Sequence, residues 1–430
     1  MVASSAHTPR LTDRWPALLI ALAIMAFPLL KPHGPAHITP DDVLIAASIL
    51  GVLMWAGTYR VPMHLPYAVP IALLAITGLL AAMLSVEPDA SSLAVVQDLF
   101  VFAWAAAIAN AVLISDTLSI ILASWAWSAI AWASIVVFTL ILHQPWLPGL
   151  QHSGHRAQLM FDNPNMAGNY FLLSFFVLLL SPQPRNRVVR AFAYLIVLTA
   201  IVLTGSNGAL LSLAVGGAVA GLFALWRRTS LEMIILIGTI TVALVVGLVF
   251  FAVESGILSS VDNSSNPILK RSLARSPKSA EGRRSLFTEE FDLYRNGSFV
   301  GIGPATTKTN LELSSGQIVK EAHDDYLATL VERGPIGAVG LLLLMAAVGV
   351  RAFSVARRPP PELFARMLNN PSAIIGIVVA MAVFATTHEI LHYRHVWAFL
   401  GILGGVHLFG RPMPSTRVRV GSVSSMGGGS

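Results

Sequence analysis

Apolar blocks recur along nearly the whole chain, from Trp15 to Phe409, with short polar breaks between them. The blocks are continuous rather than alternating. This predicts helices that close their backbone hydrogen bonds internally, as the hydrocarbon of a bilayer requires. Twelve blocks are predicted as spans: Trp15–Leu30, Val43–Trp55, Tyr67–Leu84, Leu99–Leu113, Leu118–Leu142, Asn165–Leu180, Val188–Leu203, Ala209–Trp226, Leu231–Val253, Tyr326–Val350, Ile374–Thr387 and Val396–Phe409. Several are shorter than the ~20 residues of a perpendicular crossing, so their ends extend into flanking polar positions. The expected fold is an all-α polytopic membrane protein in four parts. Residues 1–253 carry spans one to nine, 254–325 form a long outer loop with short helices, 326–410 carry the last three spans, and 411–430 are a flexible tail or appended linker. The first span has no small-residue cleavage site, so it reads as a retained helix and not a signal peptide.

Composition narrows the class. Of 430 residues, 55% are hydrophobic and 12% charged, and the mean hydropathy is +0.70. Soluble domains carry about 25% charged residues, so a soluble globular protein is excluded, and the apolar content excludes a disordered chain. The formal net charge of +6 would suggest nucleic acid in a soluble protein. Here topology absorbs it. With the N-terminus in the cytoplasm, fifteen arginines from Arg10 to Arg419 fall on the cytoplasmic side. Outside the long loop, the outer segments hold only Lys31, Arg156 and Arg394. That asymmetry is the positive-inside rule, from which long loops are largely exempt. With no cysteine there is no disulfide or thiol chemistry.

The reactive residue types gather on the outer side, which holds nine of the twelve histidines. The cytoplasmic segments carry no Gly-rich phosphate loop with its lysine. In the long loop, Lys270 to Arg284 is basic and Ser285 to Arg333 acidic. Arginine grips phosphate oxygens through a bidentate fork, so the basic stretch is either a phosphate site or a solvated segment against anionic lipid. Arg283 and Arg284 open a predicted helix. Its Leu286, Phe287, Phe291 and Tyr294 share one face, with Glu289, Glu290 and Asp292 away from it, and it would fix the two arginines near the membrane surface. Downstream, His323, Tyr326, Leu327 and Leu330 are spaced to share one inward helical face. Imidazole is the usual general base near neutral pH. Asp324 and Asp325 are placed to orient His323 or to raise its pKa. The alternative for His323 is a hydrogen-bonded core histidine.

Other outer features carry chemistry or its imitation. Arg156 precedes Asn163-Pro164-Asn165, where the chain breaks at a span entrance. Thr204-Gly-Ser-Asn-Gly208 is a tight turn whose amides can face an anion. His388-Glu-Ile-Leu-His392 matches the zinc-protease pattern, which on a helix would set both histidines on one face, with His395 as a third ligand. So short a pattern matches often by chance, and the other reading is a polar cluster around Arg394. No D-x-D pair occurs; Asp41-Asp42 is the one candidate for a metal in an early outer loop.

Taken in order, Arg156 with Asn163-Pro-Asn165, Thr204-Gly-Ser-Asn-Gly208, Glu281-Gly-Arg283, Gly301-Ile-Gly303 and His323 through Glu332-Arg-Gly334 resemble the O-antigen ligase and polymerase superfamily of bacterial inner membranes. Residues 150–345 and the twelve-span plan carry the resemblance. Asn207 departs from it, standing where many relatives have arginine. The resemblance implies a fold related to C-type glycosyltransferases and an inverting reaction without a metal or other cofactor. In the ligase branch, glycan passes from undecaprenyl pyrophosphate to lipid A–core oligosaccharide at the periplasmic face of a Gram-negative inner membrane, with both termini cytoplasmic. The long loop favours that branch. The polymerase branch is the runner-up, and transfer to protein is third. The implied roles are His323 as base, Arg284, Arg283, Arg156 and Arg394 at the pyrophosphate, and Asn165, Asp324 and Asp325 in support. A multispan lipid or sugar transporter is the alternative from another class. Transporters place charged groups near the bilayer midplane of broken, repeated halves, whereas here the ionisable residues cluster at one face.

Overall fold

The computed structural model describes residues 14–29, 38–114, 116–142, 156–161, 163–227, 287–315, 324–357, 364 and 366–410. Among these, every regular element longer than one residue is a helix. In chain order they are α1 (Trp15–Ala26), α2 (Pro40–Tyr59), α3 (Ala68–Ala82), α4 (Pro88–Ala111), α5 (Thr117–Leu142), α6 (Pro164–Leu180), α7 (Arg187–Thr204) and α8 (Asn207–Trp226). The polar α9 (Thr307–Ser315) follows, then α10 (Asp325–Arg357), α11 (Ser372–Ala385) and α12 (Arg394–Phe409). Residues 287–296 are also helical. Among the described residues six helices are long and apolar enough to cross a membrane: α2, α4, α5, α7, α8 and α10. Helices α1, α3, α6 and α11 are apolar but shorter. The chain is a membrane protein. The expected span Leu231–Val253 and the tail 411–430 lie outside the described residues.

The helix starts follow from local chemistry. Thr39 caps α2 by accepting from the Asp42 amide at 3.2 Å, while Asp42 accepts from the Thr39 amide at 2.9 Å. This reciprocal box satisfies two amides that the helix cannot pair itself. Asn163 caps α6 and Pro164 takes its first position, where a missing N–H costs nothing. Gly205 ends α7 in the left-handed region, and Ser206 at once caps α8.

Lipid gives no hydrophobic drive between helices, so close contact must come from shape. The largest interfaces are α8–α11, α4–α12 and α3–α10. At the first of these, a Cβ on Gly216 would lie 2.6 Å from the Gly376 carbonyl, so the two backbones meet only as glycine. Outward positions are apolar too: Val69 is 73% exposed and Leu195 64%, as suits a lipid surround.

Contacts between distant segments sort the helix ends into two groups. At one end Arg14 meets Asp116 at 2.7 Å. There too the Asn110 amide exchanges hydrogen bonds with the His64 backbone, the Arg351 guanidinium lies 4.5 Å from the Tyr67 ring centre, and the Asn369 amide donates to the Leu180 carbonyl. At the other end Asp42 meets Arg394, Arg156 meets the α7–α8 turn, and Asp325 meets the turn before α12.

Candidate functional site

The second end of the bundle is organised by a kink in α10. Gly334 has φ 67° and ψ −178°, outside the helical region, and Pro335 follows it. A Cβ there would sit 2.2 Å from the Phe299 carbonyl oxygen. The break frees backbone acceptors, and the preceding loop takes them: Ile302 and Gly303 donate to the Val331 and Glu332 carbonyls at 3.1 and 3.0 Å. Gly301 has φ 99°, and a Cβ on it would come within 2.4 Å of the Glu332 carbonyl oxygen. The Gly301-Ile-Gly303 and Glu332-Arg-Gly334 motifs are therefore two halves of one strap. Arg333 anchors it to the bundle, donating to the Asp98 carboxylate of α4 and, at 2.9 Å, to the Leu74 carbonyl of α3.

Three carboxyl groups gather beside this strap. Glu332 accepts from Thr307 Oγ1 at 2.8 Å. Asp324 caps α10, accepting from the Leu327 amide at 2.6 Å, and burial raises its carboxyl above the usual range. Glu290 is only 2% exposed, and its Oε1 has no hydrogen-bond partner. Burial, then the Asp324, Glu332 and Glu289 charges, push its pKa up to about 7. The two faces of its helix are distinct, as the spacing predicts, and the acidic side is the buried one at Glu290. Phe287 and Phe291, 54% and 40% exposed, stack on each other outward with ring centres 6.5 Å apart, and the acid turns in. An apolar face predicts contact with an apolar medium, and beside a membrane that medium need not be protein.

Arg156 is held at the α6 entrance. Its Nε donates to the Thr204 carbonyl at 2.7 Å, and one terminal nitrogen donates to Asn165 Oδ1 at 3.0 Å and to the Gly205 carbonyl at 3.1 Å. A Cβ on Gly205 would lie 3.2 Å from Nε, so the Gly-Ser turn and the guanidinium fit as a unit. Arg394 differs from expectation. Its fork is filled by Asp42, with Nε to Oδ1 and Nη2 to Oδ2 both at 2.9 Å. Asp42 thus serves a cap and an ion pair and is no open metal ligand.

Asp325 is also engaged. Its fully enclosed carboxylate accepts from the Ile390 amide at 3.1 and 2.9 Å and from the Leu391 amide at 3.3 Å. It pins the turn between α11 and α12, where unpaired amides would otherwise be buried. His323, which it was expected to support, lies outside the described residues. The same turn contains His388-Glu-Ile-Leu-His392. Residues 386–393 are not helical, so the two histidines have no common helical face. His388 Nδ1 meets Thr387 Oγ1 at 3.1 Å, and the His392 ring stands edge-on to Tyr393. Among the described residues no three His, Asp or Glu side chains are grouped to hold a metal ion. His395 is a core residue, bonded through Nε2 to Asn169 Oδ1 at 2.8 Å among Phe27, Phe161, Tyr170 and Tyr393.

Of the expected site residues, Arg156, Asn165, Asp324, Asp325 and Arg394 all lie at this end of the bundle. His323, Arg283 and Arg284 lie outside the described residues; Asp324 directly follows His323 in sequence, and description resumes at residue 287, three positions after Arg284. Sequence reasoning gave no role to Asp98, Arg333 or Glu290. An acid within the apolar run of α4 was the available signal, because a charge at that depth calls for a partner.

A family model described as O-antigen ligase matches residues 192–342, from α7 through the strap and into α10 past its kink. Over these residues the chain is similar to the O-antigen ligase family. Members of this family are membrane enzymes of glycosyl transfer, acting in general on lipid-linked polysaccharide and lipid A–core. No curated protein matches the chain.

Proposed function

We propose that the protein is an O-antigen ligase, transferring glycan from undecaprenyl pyrophosphate to lipid A–core oligosaccharide at the periplasmic face of a Gram-negative inner membrane. One observation carries this reading: the family match, residues 192–342, covers the strap and the start of α10, where Arg156, Asp324 and the other candidate polar groups collect at a single end of the bundle. The sorted helix ends support the twelve-span plan with cytoplasmic termini. Arg14 and Asp116 share one end, as that plan requires, and Asp42 and Arg394 the other. Trp226 stacks on Phe353 at the first end whereas residues 287–315 lie at the second, which is what a further crossing at Leu231–Val253 provides. The domain division at residues 253, 325 and 410 belongs to the same proposal.

In this mechanism the acceptor hydroxyl attacks the anomeric carbon. A carbon–oxygen bond forms there as the bond to the pyrophosphate oxygen breaks, inverting the centre. His323 takes the hydroxyl proton, and undecaprenyl pyrophosphate leaves with the electron pair. Arg284, Arg283 and Arg156 counter the charge that builds on the leaving diphosphate, work that preorganised donors do well. Arg394 joins them only by giving up Asp42, so its role is to hold the entrance of α12 against α2. A folded His323→Ala protein should lose about 10²–10⁴ in turnover. Unchanged turnover would remove His323 as the base.

A further inference from the structure

Burying a carboxyl without a partner costs several kcal/mol, so such a group is retained where something else supplies the missing donors. Glu290 is in this position, 2% exposed with Oε1 unpaired. Its helix buries the acid and leaves Phe287 and Phe291 outside, the opposite of what water alone would select. Among the described residues the neighbours that act on it are acidic too. Asp324 and Glu332 act on Glu290 electrostatically, and both are partly exposed. Their own bonds are local: Asp324 accepts from the α10 amides and Glu332 from Thr307. Arg333, the cation that acts on Glu332 among the described residues, is committed to Asp98 and to the Leu74 carbonyl.

This arrangement selects by charge. Three carboxyl groups repel a phosphate, and among the described residues their spacing forms no metal site. A sugar hydroxyl is neutral and brings the O–H donor that a carboxylate oxygen lacks. The arginines offer the reverse, donors without acceptors. The two halves of a glycosyl transfer need these opposite surroundings, one for the diphosphate and one for the attacking sugar.

We propose that Glu290, flanked by Asp324 and Glu332, is a recognition subsite for hydroxyl groups of the acceptor sugar. The inference rests on the ligase reading and deepens it. Glu290 is here a specificity-determining residue, distinct from the base and from the diphosphate arginines.

The test uses the full-length protein in detergent or proteoliposomes, with undecaprenyl-pyrophosphate-linked glycan and lipid A–core. Glu290→Gln keeps the shape and removes the charge. Loss of a hydrogen bond to a charged group predicts a rise of roughly tenfold to a hundredfold in the KM for acceptor. The KM for donor and kcat at saturating acceptor should stay within about twofold, because the lost bond is ground-state binding of one substrate. Glu290→Asp should recover part of the effect. Size-exclusion chromatography and thermal unfolding report whether each variant is folded; if Gln fails to fold, Asp carries the comparison. Unchanged acceptor KM in a folded variant overturns the proposal, as does a change confined to the donor. Binding of delipidated core oligosaccharide by saturation-transfer NMR gives a readout independent of turnover. If the wild-type protein joins no glycan to lipid A–core, the ligase reading fails, but this measurement still decides the subsite. Wild-type binding that weakens in Glu290→Gln supports it; equal binding, or none by either protein, overturns it.

Discussion

The Arg394–Asp42 pair separates two accounts of the same arginine. If Arg394 serves the diphosphate, its partner in the empty protein is incidental. If it is a structural tie, the two side chains are energetically coupled. The pair is bidentate, with side-chain exposures of 19% and 13%. Fully exposed pairs contribute about 0.2–1 kcal/mol, and breaking a buried pair costs about 3–5 kcal/mol. A pair this far withdrawn lies between, so Arg394→Met or Asp42→Asn should each destabilise by about 2 kcal/mol. Asn is the better replacement for Asp42, because its carbonyl keeps the cap on Thr39 and isolates the ionic loss. The double variant should cost about 2–3 kcal/mol rather than 4, a coupling of about 1–2 kcal/mol. Unfolding of the four proteins in one detergent measures this directly. Coupling below about 0.3 kcal/mol would refute the tie and return Arg394 to the list of free diphosphate ligands.

Other outcomes follow from the same geometry. Gly334→Ala must move the Phe299 carbonyl and holds a side chain at φ 67°; a loss of about 3 kcal/mol or more is expected, and an unchanged unfolding midpoint would mean the strap does not close on the kink. Arg156→Lys replaces a fork that reaches Thr204, Gly205 and Asn165 with a point donor, so stability should fall by about 1–2 kcal/mol and the donor KM should rise; retention of both by Lys would argue against bidentate use. The raised Glu290 pKa also carries a sign. Between about 4.5 and about 7 the folded carboxyl keeps a proton that the unfolded chain releases, so rising pH through that window destabilises the fold, by at most on the order of 3 kcal/mol. Glu290→Gln should flatten this slope, and an identical slope in both proteins would show that Glu290 titrates normally.

The helix pattern was legible because lipid imposes one rule on every apolar segment. Eleven of the twelve expected blocks coincide with described helices. Helix starts were legible where a single residue decides them, as at Asn163-Pro164. The candidate site was legible only as a grouping at one end of the bundle. Spacing put Arg156, Arg394 and Asp325 at the same end, but it carries no information about partners distant in sequence. Arg394 finds Asp42, 352 positions away, and Asp325 finds the Ile390 amide, 65 positions away. At residues 287–296 spacing gave the two faces but not which one is buried. A hydrophobic face indicates an apolar neighbour without saying which, and the outward Phe287–Phe291 stack left Glu290 to the interior. The zinc-like segment failed through backbone: the pattern presumes a helix, and residues 386–393 form a turn held by Asp325.

The central claim is tested by supplying purified protein with undecaprenyl-pyrophosphate-linked glycan and EDTA, with lipid A–core present in one reaction and absent from the other. Reading product mass by gel, the account predicts glycan joined to lipid A–core only where that acceptor is present. Longer carrier-linked glycan in its absence would contradict the ligase reading in favour of polymerisation, and no product in either reaction would contradict glycosyl transfer itself.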